Sequence, residues 1–347
     1  MAMIAVAAGI VGWRWTTPIP VCSAAPEAPA EGCVAGFAIH DLDVGRTGSI
    51  ALSQDASRLL LVGAAGSADG APRVLAALRT QDGGEDWRLP AAGLEDSVAL
   101  SPDGDRVAVW HKESQPRVLT IPDGAVVAEA RSPGRTMWEL PAFDVTFSAD
   151  GHALLFGGVI PRRLHPLSGE APRPDPAAGA AQPEECPTQI GQSAYGGGVI
   201  SRDFRLAVFY NSWDDDKFGP GRVTDDRFLQ SGLCGLRFFL MAPPPPGWST
   251  VPVVFASFSP GSDRLAIVYS DSDRPGDQTL IEIRDTSAKV EDMPYSDGRT
   301  AAVLARFPVR GLVGFGHRIG WSPDGRRLAV ISLSRNRAAE ARIFAVP

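Results

Sequence analysis

Trp321-Ser322-Pro323-Asp324-Gly325, followed two residues later by Leu328-Ala329-Val330, is the stretch on which the fold turns. Pro presets φ at the first central turn position, Asp bonds back to nearby amides, and Gly accepts positive φ. An apolar residue before such a turn and a short apolar run after it make a β-hairpin. The pattern recurs upstream. Leu52-Ser53-Gln54-Asp55 leads to Leu59-Leu60-Leu61, Leu100-Ser101-Pro102-Asp103-Gly104 to Val107-Ala108-Val109, and Phe147-Ser148-Ala149-Asp150-Gly151 to Leu154-Leu155-Phe156. Ile200-Ser201-Arg202-Asp203 leads to Leu206-Ala207-Val208, and Phe258-Ser259-Pro260-Gly261 to Leu265-Ala266-Ile267. Successive serines fall 48, 47, 53, 58 and 63 residues apart, a spacing that leaves room for a second hairpin in each period. One is legible where Arg117-Val118-Leu119-Thr120-Ile121 turns at Pro122-Asp123-Gly124 into Ala125-Val126-Val127. Two hairpins make a four-stranded unit that cannot bury both faces alone and must stack on its neighbours.

The Ser-Pro-Asp-Gly hairpin followed by Leu-Ala-Val resembles the TolB-like and WD40-like (PD40) bacterial propeller repeats, over residues 34–347. The resemblance implies an all-β, six-bladed β-propeller of four-stranded antiparallel blades. Three copies depart from the pattern: Asp55 is followed by Ala56, Asp203 by Phe204, and Gly261 stands in the Asp place. The Trp-Asp and Gly-His signatures of eukaryotic WD40 repeats do not recur with the repeat. After the sixth hairpin the chain holds one further strand, Ala341–Val346, so the last blade lacks its outer strand. Val34–His40 has strand character and no other place, and is expected to complete that blade and close the ring, removing an exposed edge. Thr80-Gln81-Asp82-Gly83-Gly84-Glu85-Asp86-Trp87 resembles the Asp-box of sialidase and BNR-type propellers. That implies a structural turn, with Asp82 on turn amides and Trp87 packed in the core.

Composition agrees with a folded, turn-rich chain. The 347 residues are 44% hydrophobic, and 37 Gly with 30 Pro favour turns over long helices. A net charge of −7 without a Lys/Arg run argues against nucleic acid as a partner, since that affinity comes from clustered cations. Residues 1–15 form a signal- or anchor-like segment, apolar throughout 1–13 (MAMIAVAAGIVGW) but shorter than a membrane span and without a preceding cation. It reads as part of a longer leader, as the remnant of an anchor, or as a buried N-terminal segment. Residues 16–33 form a Pro/Ala-rich tether, and 34–347 the propeller. The expected location is periplasmic or secreted, with a membrane tether through the N-terminus.

Strand alternation places the first-to-second and third-to-fourth turns on one face of the ring and the remaining loops on the other. That second face collects Asp-rich segments, from Asn211 to Phe228 and from Asp271 to Asp277. Asp214, Asp216, Asp271 and Asp273 are the candidate ligand-binding and Ca²⁺-ligating residues, because a hard cation takes six to eight oxygens. The plain alternative is a solvated acidic loop. His317, just before an inner strand, is a candidate channel-facing residue, with a hydrogen-bonded structural histidine as the alternative. Apart from Ca²⁺ no cofactor is implied, and no hydrolase, P-loop or zinc motif is present. Four cysteines allow three pairings or four buried thiols. The propeller frame favours Cys186 with Cys234, on one face of one blade, and leaves Cys22 with Cys33. The leading functional reading is a monomeric, non-enzymatic scaffold that binds a protein or small ligand over its long-loop face. The alternatives are a metal-dependent propeller hydrolase of lactonase or esterase type, and a glycan-binding propeller.

Overall fold

The computed structural model describes residues 32–44, 50–66, 71–91, 97–110, 115–121, 124–131, 145–148, 150–156, 163–174, 197–200, 207–210, 253–271, 278–287, 301–313, 319–334 and 338–347. Every regular element among them is a β-strand. The chain enters through β1 (Cys33–Ile39). Sheet one follows as β2 (Ile50–Leu52), β3 (Arg58–Ala64), β4 (Arg73–Arg79) and β5 (Glu85–Pro90). Sheet two comprises β6 (Ser97–Leu100), β7 (Arg106–Trp110), β8 (Arg117–Thr120) and β9 (Val126–Glu129). Sheet three comprises β10 (Val145–Phe147), β11 (Ala153–Phe156), β12 (Arg163–Pro166) and β13 (Arg173–Pro174). Sheet four shows the pair β14 (Gly197–Ile200) and β15 (Ala207–Tyr210). Sheet five comprises β16 (Val253–Phe258), β17 (Arg264–Asp271), β18 (Gln278–Asp285) and β19 (Val303–Arg310). Sheet six is built from β20 (Ile319–Trp321), β21 (Arg327–Leu333) and β22 (Ala339–Ala345), with β1 as its outer strand.

All pairings are antiparallel and follow chain order, except that β1 pairs with β22 from Cys33 opposite Phe344 to Ile39 opposite Ala339. Each sheet is therefore a meander, and apolar clusters pack one sheet against the next. Leu59 and Leu61 of sheet one meet Ile331 and Ile343 of sheet six, with Phe37 of β1 in the same cluster. Leu60 and Val62 face Val107 and Val109 of sheet two, Trp110 faces Phe147 and Phe156 of sheet three, and Val268 and Ile281 of sheet five face Val330 and Phe344 of sheet six. With β14 beside β16, the neighbours run three, two, one, six, five, four. Repeated four-stranded meanders stacked face to face are the architecture of a β-propeller.

The first strands of sheets six and one approach closely, for a Cβ on Gly320 would lie 2.6 Å from the Ile50 carbonyl oxygen. A side chain there would push the two sheets apart. The two ends of the strands differ. Most turns at the first face are short: 53–57, 80–84, 101–105, 121–125, 148–152, 259–263 and 322–326 each hold five residues and 167–172 and 201–206 hold six, while 286–302 in sheet five is long. At the second face the connections vary from 334–338 to 130–144 and 175–196.

Candidate functional site

At the first face the repeated residues are occupied with holding their own turns. The Ser53 hydroxyl donates to Asp55 Oδ1 at 2.7 Å and accepts from the Arg58 amide at 2.9 Å. Ser101 does the same with Asp103 and Arg106, Ser148 with Asp150 and Ala153, and Ser322 with Asp324 and Arg327. Each Asp also accepts from the amide two residues on: Ser57, Asp105, His152 and Arg326. The Ser53 hydroxyl and then the Ser57 amide hold Asp55 below the usual carboxylate range, and Ser148 and the His152 amide do so for Asp150. At Asp103 and Asp324 burial pushes the other way, and the serine hydroxyl and turn amide outweigh it.

Two of the three departures from the repeat keep this geometry by substitution, and the third, at Asp203 and Phe204, lies outside the described residues. In the first copy Ala56 takes the left-handed position, φ 57°, that Gly104, Gly151 and Gly325 occupy in theirs. In the fifth copy Ser262 takes it at φ 59°, and Asp263 replaces the missing Asp by accepting from Ser259 at 2.7 Å. The backbone fixes the turn, and the sequence finds more than one way to fill it. Each described first turn is also tied to the end of its third strand, by bonds such as Thr80 N to Ser57 O at 2.9 Å and Thr286 N to Asp263 O at 2.8 Å. The Asp-box segment is one of these ties. Asp82 accepts from the Gly84 amide at 2.9 Å, and the Thr80 hydroxyl donates to Ala56 O at 2.6 Å. Asp86 receives Arg58 at 2.7 Å and Arg79 at 3.1 Å, and Trp87 packs against the cluster between sheets one and two.

Of the acidic rim expected at the second face, Asp271 closes β17 opposite Gln278, at the end of sheet five away from the Ser-Asp turns. Asp214, Asp216, Asp273 and His317 lie outside the described residues, as do Cys22, Cys186 and Cys234. Cys33, in β1, is disulfide-bonded, and its partner lies outside the described residues. Beneath Asp271, Ser270 and Thr279 share a hydrogen bond of 2.8 Å, Thr279 donates to Gly311 O at 2.8 Å, and both hydroxyls accept from the Val313 amide at 3.2 Å. This network fixes the chain leaving sheet five for sheet six. Among the described residues no group of three or more His, Cys, Asp or Glu side chains could hold a metal ion.

Sequence reading missed a buried charge cluster in sheet five. Glu282 is fully buried, and its Oε1 accepts from Arg284 Nε at 2.5 Å and from the same guanidinium's Nη2. Its Oε2 accepts from Arg306 Nε at 2.9 Å, while Arg284 also donates to Ala301 O at 2.9 Å. Burial, reinforced by the Glu282 charge, pushes the nearby Tyr269 hydroxyl well above its usual range. The register places these groups on the face turned away from sheet six, because Ile281 and Ile283 occupy the other. An arginine five residues after the repeat serine was a second missed signal, present as Arg58, Arg106, Arg264 and Arg327. Arg106 pairs with Asp103 at 3.1 Å and Arg264 with Asp263 at 2.7 Å.

No protein-family model and no curated protein matches the chain. Solved structures do. Similar ones include the β-propeller domain of Myceliophteria thermophila Cps50 (Swd1), with 10% identity and TM-score 0.42 over 87% of this chain and 97% of that one. The C-terminal WD40 domain of Sif2 gives 11% identity and TM-score 0.40 over 87% and 81%, and Kuenenia stuttgartiensis hydrazine synthase 13% and 0.39 over 85% and 78%.

Proposed function

We propose that the chain is a six-bladed β-propeller of the TolB-like, PD40 kind, closed by β1, and that it acts as a non-enzymatic, extracytoplasmic scaffold binding a protein or small ligand over its second face. The observation that carries this reading is the contrast between the faces. At the first face seven five-residue turns spend their hydroxyls and carboxylates on their own backbone, with 286–302 the long exception, while the second carries connections of varied length from the same rigid frame. Binding groups are commonly presented on loops held by such a scaffold.

The test is capture of envelope-fraction proteins, with crosslinking, by the full chain and two variants. One replaces residues 132–144 by a Gly/Ser linker, and the other carries Asp82→Ala at the first face. The same prey should be recovered by the parent and the Asp82→Ala protein and lost with the loop replacement. Ca²⁺ retained through purification, together with lactone or aryl-ester hydrolysis abolished by Asp271→Asn with Asp273→Asn, would instead establish the hydrolase.

A further inference from the structure

Four outer strands carry a β-bulge at one and the same place. The register with the neighbouring strand skips Val34 in β1, Asp86 in β5, Val127 in β9 and Leu304 in β19. A bulge leaves its extra residue unpaired and re-aims its side chain. Val34, Val127 and Leu304, with their neighbours Val126 and Val303, are 37–51% exposed, and they are the exposed large hydrophobic residues among those described. Each is the first or second residue of an outer strand, and outer strands begin at the first face. Single exposed valines need no explanation, but five at one level of the molecule form a collar. Sheet one breaks it, since Asp86 stands at the bulge and is held by Arg58 and Arg79.

A second observation points to the same face. Gly32, whose carbonyl accepts from the Ala345 amide at 2.8 Å, sits where β1 begins, so the preceding chain joins the molecule at the first face. Within that chain residues 1–13 are apolar throughout. We propose that the first face docks on a lipid bilayer, its collar of Val34, Val127 and Leu304 entering the interface beside the N-terminal segment. The inference rests on reading that segment as an anchor. Arg79 and Arg106 at the same face are paired with Asp82, Asp86 and Asp103, so apolar burial rather than headgroup attraction carries the contact. The second face is then directed away from the membrane, where its loops meet soluble partners.

Flotation of the full chain with phosphatidylcholine/phosphatidylglycerol vesicles tests this. The exposed positions tolerate charge, so V34D/V127D/L304D should keep the parental melting temperature and lose about tenfold in vesicle partition. A338D, at the second face, should bind as the parent does. Hydrogen exchange on vesicles should slow at the first residues of β9 and β19 and stay unchanged at Ala338. Parental binding by the triple variant, with no such protection, overturns the collar and leaves the anchor standing. Residual collar-dependent binding by I4D/V6D/I10D overturns the anchor and leaves the collar, whereas a parent that does not float overturns both.

Discussion

The two faces of sheet five stand in different surroundings. Toward sheet six, Val268, Ile281, Ile283 and Phe307 meet Val330 and Phe344, and Phe307 stacks on Phe344 with ring centroids 4.5 Å apart. On the opposite face Glu282 lies fully buried between Arg284 and Arg306. An apolar seam gains free energy from each buried side chain, about 1.5–3 kcal/mol for a Leu or Phe. A buried ion pair gives little net stability, because desolvation consumes most of its Coulomb energy, yet losing one partner strands the other charge. The seams that repeat thus supply stability, and the charged face supplies sensitivity.

Glu282→Ala should break this contrast most severely. It leaves Arg284 buried without its carboxylate and should cost about 3–5 kcal/mol by urea denaturation, whereas Glu282→Leu with Arg284→Met should recover most of that loss. Leu61→Ala, in the apolar seam between sheets one and six, should cost about 2–4 kcal/mol through the cavity it opens. Gly320→Ala probes the same seam from the opposite direction, driving a methyl against the Ile50 carbonyl, and about 1–3 kcal/mol is expected. Ser322→Ala removes a turn hydroxyl bonded to both Asp324 and the Arg327 amide and should cost about 1 kcal/mol.

The smallest effect is the pH response. Asp55, Asp103, Asp150 and Asp324 are held below their unfolded values, so their contribution is fully present above about pH 4 and is lost as pH falls through the folded values. The melting temperature should drop on acidification below that point, and less steeply in a Ser53→Ala/Ser322→Ala protein. An equal slope in both would show that the turn hydroxyls do not set it.

The hairpins were legible because turn chemistry and apolar runs agree within a few residues, and β1 was legible by counting strands in the last sheet. The left-handed Ala56 and Ser262 were not, since neither residue type announces positive φ. Glu282 and Arg284 escaped notice for a different reason. In Gln278–Asp285 the alternation of Ile with charged residues is the pattern of a sheet with one wet face. A sheet stacked between neighbours has no wet face, so the same alternation buries its charges. Of the acidic rim, Asp271 stands at the second-face end of its strand, and its partner residues fall outside the described chain.

The pairing of Cys33–Ile39 with Ala339–Ala345 also dictates an order of events in folding. Sheets one, two and three contain only neighbouring strands and can form as soon as their own residues are available. Sheet six must recruit a strand separated from its partner by most of the chain, and such non-local contacts form late. Until they do, β22 keeps a bare edge and the apolar side chains of Phe37 and Ile39 have no seam to enter. Refolding should therefore end in a slow phase in which amide protection of β1 and β22 appears together, after that of β3 and β4.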